Sequence, residues 1–83
     1  MNVTVKTGGL LHKYLPAQRT GNRAQLDVAE GATALDVMRQ LGMPPEGSYL
    51  VIVNDELLPE ERRGEVRLRD GDRLSINPPL RGG

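Results

Sequence analysis

A single stretch, Thr33 to Gly42, carries a helical period, and it limits what the rest of the chain can build. Ala34, Val37, Met38 and Leu41 fall at i, i+3, i+4 and i+7, while Asp36, Arg39 and Gln40 take the other face. Thr33 followed three residues later by Asp36 fits a capping box, in which the hydroxyl accepts an orphan backbone N–H. Gly42 suits the left-handed position after a helix, and Pro44-Pro45 forbid continuation. Met38, on the apolar stripe, reads as core filler. One apolar stripe must be buried against something. The economical solution is one helix across one face of a mixed sheet, an α+β domain.

The other ordered segments have the period of strands. Asn2-Val3-Thr4-Val5-Lys6 alternates, as does Arg23-Ala24-Gln25-Leu26-Asp27-Val28 with Ala24, Leu26 and Val28 inward. The connection between them, roughly residues 7–22, is too long for a simple hairpin turn, and a short helical turn is expected at Leu10, Leu11, Tyr14 and Leu15 before Pro16. Tyr49-Leu50-Val51-Ile52-Val53 is apolar throughout, as expected of a central strand covered on both faces. Asn54-Asp55 is a turn signal, and Glu56-Leu57-Leu58 a short edge strand cut off by Pro59. Residues 60–64 read as a solvated loop, and Val66 and Leu68 alternate with charged neighbours. Asp70-Gly71-Asp72 then turns the chain into Arg73–Asn77, with Leu74 and Ile76 inward. The expectation is a mixed sheet of about five strands, with the first and last as central partners.

Residues 1–77 are expected to form the globular domain and residues 78–83 an extended tail. Pro78-Pro79-Leu80-Arg81-Gly82-Gly83 buries little, and glycine loses the most backbone entropy on ordering. The two prolines remove two backbone donors and end the sheet. At ~3.1 Å per residue, such a spacer carries its last carboxylate roughly 15–20 Å from the globule. A stiff stalk with a bare tip suits insertion into a partner.

Composition removes several functions. There is no cysteine, hence no disulfide, thiolate metal site or cysteine nucleophile. No secretory signal is visible, and the longest unbroken apolar run, Tyr49 to Val53, is far below a membrane span, so a cytoplasmic location is expected. Net charge is zero but uneven: +4 over residues 1–26, −7 over 27–61 and +3 over 62–83. A nucleic-acid binder would show a basic excess and stacking aromatics, and this chain has two tyrosines and no excess. The charges read as solvated faces, with the acidic middle as a candidate docking patch.

An enzyme reading fails on inventory. The one histidine, His12, sits in the long connection and reads as an exposed loop residue. Ser48 and Ser75 lack nucleophile-elbow spacing, and Gly8-Gly9 is a break, not a phosphate-cradling loop. Asp70-Gly71-Asp72 lacks the remaining ligands of a calcium loop. No catalytic or metal-binding residue is expected, and no cofactor bound by this chain. The remaining group is the carboxylate of Gly83. At a reference pKa of ~3.3–3.7 it is ionised and a poor electrophile. It must be activated, most simply as an acyl-adenylate, and a partner enzyme must supply that step.

The run Asp70-Gly71-Asp72-Arg73-Leu74-Ser75-Ile76-Asn77-Pro78-Pro79-Leu80-Arg81-Gly82-Gly83 resembles the end of the ubiquitin-like sulfur carriers of the MoaD/ThiS family. Glu30 to Val37 looks like that family's helix start, Leu41-Gly42 its exit, and Val51-Ile52-Val53-Asn54-Asp55 its central strand and turn. The resemblance implies a β-grasp fold and a carrier whose terminal glycine is adenylated by a ubiquitin-activating-type enzyme using ATP. The adenylate is then converted to a thiocarboxylate that donates sulfur. By that resemblance Gly83 is the attachment point, Gly82 keeps the enzyme channel narrow, and Pro78, Pro79, Leu80 and Arg81 belong to the partner-binding tail. The implied partners are the adenylyltransferase, a sulfur donor enzyme and a larger synthase subunit, with no nucleic acid and no membrane.

Pro78-Pro79 looks more like the molybdopterin (molybdenum cofactor) branch than the thiamin branch, with tRNA thiolation and cysteine synthesis as further outlets. Leu80-Arg81-Gly82-Gly83 also reads the same as the end of ubiquitin, and Arg81 departs from the usual carrier pattern. Conjugation to protein lysines through Gly83 is therefore a second reading. A non-catalytic module whose tail only docks is a third.

Overall fold

The computed structural model describes residues 1–44 and 48–79. β1 (Asn2–Thr7) and β2 (Arg23–Asp27) pair antiparallel, with Val3 opposite Leu26 and Val5 opposite Ala24. α1 (Ala34–Gln40) follows, then the hairpin of β3 (Leu50–Val53) and β4 (Glu56–Leu58), and finally β5 (Arg73–Asn77). The five strands lie in the order β2-β1-β5-β3-β4, with β1 and β5 parallel at the centre and the other neighbours antiparallel. This is the β-grasp arrangement that the resemblance implied.

Alternation assigns one face of the sheet to the core. Val3 and Val5, Ala24 and Leu26, Val51, Leu58, Leu74 and Ile76 are buried together with Ala34, Val37 and Met38 of the helix. Each fully buried aliphatic side chain contributes roughly 1.5–3 kcal/mol. At seven residues α1 is too short to hold without such packing and good ends. Both bonds of the capping box form: Asp36 N–H donates to Thr33 Oγ1 at 3.2 Å, and Thr33 N–H donates to Asp36 Oδ2 at 3.0 Å. At the other end Gly42 takes φ +77°, its N–H reaching the Arg39 carbonyl and that of Met43 the Met38 carbonyl. That is a Schellman stop, and it buries Met43.

The long connection after β1 is tied at both ends. Thr7 and Asn22 exchange backbone and side-chain bonds, including Asn22 Nδ2 to the Thr7 carbonyl at 2.7 Å. Between them a 3-10 turn, Leu11–Tyr14, sits where helical spacing was expected, with Leu11, Tyr14 and Leu15 against the core. Asn54 and Asp55 both take positive φ, the two-residue turn that suits the twist of the β3–β4 hairpin. Asp70-Gly71-Asp72 is the expected turn: Asp70 accepts from Asn2 N–H, Asp72 accepts from Arg69 N–H, and Gly71 has φ +86°.

Several expectations are corrected. β3 is covered on one face only: Leu50 and Ile52 face away from the helix and stay half-exposed, because the single helix covers a single side. Leu41 is half-buried, since α1 ends at Gln40 and Leu41 is its cap. Val66 and Leu68 lie outside the five strands, as the expected order of elements has it, and an isolated bridge, Thr33 to Arg67, joins that stretch to the helix start. Residues 60–64 are not simply a solvated loop. Glu60–Arg62 make a 3-10 turn that sends Arg63 inward to 2% exposure, where Nη2 donates to the Tyr49 carbonyl at 2.6 Å. The expected stop at Pro45 lies outside the described residues. No helix among the described residues is long and apolar enough to cross a membrane.

Candidate functional site

The site is the place where the tail leaves the sheet. β5 lies between β1 and β3, so Ile76 is held on both sides, opposite Thr7 and Val51, and Asn77 is opposite Leu50. Because β5 is central and parallel to β1, its last residues are placed by the most constrained part of the fold. Pro78 and Pro79 follow directly and are exposed, and without N–H groups they cannot continue the ladder. Leu80, Arg81, Gly82 and Gly83 lie outside the described residues.

Gly8-Gly9 was read as a break, but it is the seat of the tail root. Gly8 N–H donates to the Ile76 carbonyl at 3.0 Å, extending the β1–β5 pairing by one bond. A β-carbon on Gly8 would stand 2.5 Å from Asn77 Oδ1 and 3.3 Å from Pro78 Cδ. One on Gly9, which has φ +55°, would stand 2.8 Å from Pro78 Cγ. At Gly9 the approach of a rigid ring and the positive φ demand glycine, whereas at Gly8 a β-carbon would have to displace the Asn77 side chain. Asn77 is held in turn by its Nδ2 donating to Ser75 Oγ at 3.1 Å. Nothing local in the sequence marks this contact, because its halves lie about seventy positions apart.

Beside this seat the connection offers Leu10, which is 76% exposed. His12 is half-buried instead of fully exposed, with Nδ1 3.4 Å from the Gly9 carbonyl oxygen. Beside Pro78 the described surroundings are thus glycines, Leu10 and His12. Among the described residues no group of three or more histidines and acids gathers as metal ligands.

Four acids of the middle segment are engaged in three separate places among the described residues. Asp27 and Glu30 lie 3.6 and 4.0 Å from the Met1 ammonium, Asp36 caps α1, and Asp55 pairs with Arg73 at 3.3 Å. Thr33 bonds hold the Asp36 carboxyl below its ordinary value, with a smaller contribution from Arg39.

The ThiS family model matches residues 15–83, from the long connection through the final glycines. None of the curated proteins matches in sequence. Among solved structures, the Haloferax volcanii HVO 2177 protein superimposes with a TM-score of 0.78 at 22% identity, over 100% of this chain and 87% of that one. Small archaeal modifier protein 1 of Haloferax volcanii gives a TM-score of 0.69 at 22% identity, covering 95% of this chain and 98% of that one. The complex of subunits 1 and 2 of the Helicobacter pylori 26695 molybdopterin-converting factor contains a chain matching with a TM-score of 0.58 at 21% identity, over 100% of both. At such identities the likeness establishes the fold.

Proposed function

The chain belongs to the ThiS family, and on that premise we propose that it is a sulfur carrier acting through the carboxylate of Gly83. The observation that carries the reading is the pairing of two facts. The family match runs through Gly83, and the tail it includes grows out of the central strand by way of exposed Pro78 and Pro79. A carrier needs a rigid body for a partner to grip and a thin, side-chain-free end to enter the partner's site. Residues 78–83 serve as that end, free of side chains at Gly82 and Gly83.

The chemistry follows from the group. A Gly83 carboxylate oxygen attacks the α-phosphorus of ATP in the activating enzyme, and pyrophosphate leaves. Sulfur then attacks the acyl carbon, as hydrosulfide or as a donor enzyme's persulfide whose S–S bond a thiol afterwards reduces, and AMP leaves. One carboxylate oxygen has been exchanged for sulfur, and the thiocarboxylate can pass that sulfur on. This chain is the substrate of these steps; ATP and the catalytic groups belong to its partners. The partners are a ubiquitin-activating-type adenylyltransferase and a sulfur donor enzyme in the cytoplasm. Pro78-Pro79 favours the molybdopterin branch, and the complexed Helicobacter pylori subunits suggest a larger synthase subunit as receiver.

The test is the intact mass of the protein isolated from its own host under mild conditions. A fraction heavier by the difference between one sulfur and one oxygen atom, located to Gly83, is expected. If the protein gains no sulfur even when incubated with its activating enzyme, ATP and a sulfur donor, the carrier reading fails. A second reading, conjugation to lysines, is favoured by Leu80-Arg81-Gly82-Gly83 and by the likeness to small archaeal modifier protein 1. It predicts heavier species joined through Gly83 that survive denaturant and reductant, and their absence across growth conditions removes it.

A further inference from the structure

Between Arg62 and Arg69 the chain carries four arginines, Arg62, Arg63, Arg67 and Arg69, against one acid, Glu65. Arg63 turns inward, and the other three line a cleft of about 530 Å³ between the β3–β4 hairpin and the stretch 62–72. Its apolar lining includes Leu58, which is buried, and Val53 and Val66, which pack against the core. Val53 and Leu58 share the core side of the sheet with Val51, so the cleft lies at the β4 edge on the side of the helix.

The chain sets Arg67 and Arg69 side by side. Burial alternates from Val66 to Arg69, with Leu68 buried and both arginines exposed. Their side chains therefore leave on one side, with α-carbons about 7 Å apart. Arg62 is paired with Glu65 at 3.7 Å, but neither Arg67 nor Arg69 has an ion pair among the described residues. The nearby acids do not supply one. Both oxygens of Asp72 are engaged at 2.8 Å, by Arg69 N–H and by Asn54 Nδ2, and Glu56 forms no ion pair among the described residues. The backbone there is open as well. Leu68 N–H donates to the Ala32 carbonyl at 2.7 Å in the bridge to Thr33, so the N–H and C=O of Arg67 point away from that bridge. Neither has a hydrogen bond among the described residues.

We propose that this cleft docks an extended segment of a partner protein in which acidic and apolar residues alternate. Its carboxylates meet Arg67 and Arg69 at the same period of two. Its apolar side chains turn onto Val53, Leu58 and Val66, and its backbone bonds to that of Arg67. Nucleic acid is the poorer occupant: among the described residues no aromatic side chain lines the cleft, and Glu56 and Asp72 in its walls repel a phosphate backbone. The cleft lies at the end of the sheet where β5 begins, since Val53 is opposite Leu74. The length of β5 from Arg73 to Asn77, about 13 Å, separates it from the root of the tail. A partner held here leaves the tail free. The proposal does not depend on what the tail carries.

The test is a ¹⁵N-resolved NMR titration of the full chain with the capped peptide Glu-Val-Glu-Val-Glu. The peptide with lysines in place of its acids, a single-stranded oligonucleotide and inorganic pyrophosphate serve as controls. Shifts are expected at Val53, Leu58, Val66, Arg67 and Arg69, with Gly8 and Asn77 unmoved. Reversing both charges, Arg67→Glu with Arg69→Glu, is expected to weaken binding on the order of tenfold. Both side chains are exposed, so the melting temperature should stay within about 4 °C of the parent, which separates lost docking from lost fold. Arg69→Glu alone, farther from the helix start, should weaken binding on the order of threefold. The proposal is overturned by no binding at millimolar peptide, by shifts centred on the open face of the sheet or at the tail root, or by affinity unchanged in the double variant. Preference for the lysine peptide, the oligonucleotide or pyrophosphate overturns it equally.

Discussion

Gly9 lies beneath Pro78 so closely that a β-carbon on it would stand 2.8 Å from the ring Cγ. A side chain there cannot be accommodated without moving the root of the tail, because the other party is a rigid ring. Gly9→Ala also places a β-carbon at φ +55°, which costs about 1–2 kcal/mol by itself. The expected result is a modest fall in melting temperature together with a larger fall in ATP–pyrophosphate exchange by the activating enzyme. Gly21→Ala is the control: Gly21 also has positive φ, at +62°, but nothing lies within 4 Å of its added β-carbon. It should share the stability cost and spare the exchange. Equal exchange by both variants would show that the seat does not aim the tail.

Removing Gly82 and Gly83 should leave the melting temperature unchanged within about half a kilocalorie per mole, the usual range for changes away from buried features. Among the described residues, the buried cluster runs from Val3 to Ile76. Sulfur loading should vanish in the same variant. A clear loss of stability on deletion would mean that the end of the chain packs on the body, contrary to its proposed use.

The helix divides its stripe unequally. Met38 is fully buried, so Met38→Ala is expected to cost ~2–5 kcal/mol. Leu41→Ala, at the half-buried cap, should cost clearly less than Met38→Ala. Urea unfolding of the two variants gives the ordering directly. A larger effect at Leu41 would mean that α1 is rotated from the face described.

What could be read in the sequence followed local chemistry. The capping box at Thr33, the stop at Gly42 and the strand alternation each depend on neighbours within a few residues, and each is present as expected. The contacts that were missed are distant ones. Arg63 sits in a charged run, and its inward turn exists because the Tyr49 carbonyl waits fourteen positions earlier. Gly8-Gly9 acquires its role only when β5 lies beside β1 and delivers Pro78 to it. The single helix covers one face of β3, a fact that the apolar run from Tyr49 to Val53 conceals because Leu50 and Ile52 belong to the face the helix leaves open. The glycine pair in the long connection was in plain view, but its meaning was not.

The cap of α1 gives the domain an acid-sensitive joint. Asp36 accepts from Thr33 N–H, chiefly for that reason its carboxyl titrates below the ordinary value, and the group is exposed. A carboxyl with a lowered folded-state pKa contributes stability above its unfolded value, ~3.9, and loses it as pH falls through the folded value. Asp36→Asn should therefore be less stable than the parent at neutral pH, and the difference should shrink below about pH 4. Thr33→Ala removes the other half of the box and should cost ~0.5–2 kcal/mol at neutral pH. Since Thr33 is the main source of the lowered pKa, it should flatten the same part of the stability profile. Urea unfolding of the three proteins between pH 3 and 7 measures this, and parallel curves throughout would show that the Thr33–Asp36 bonds contribute nothing in solution.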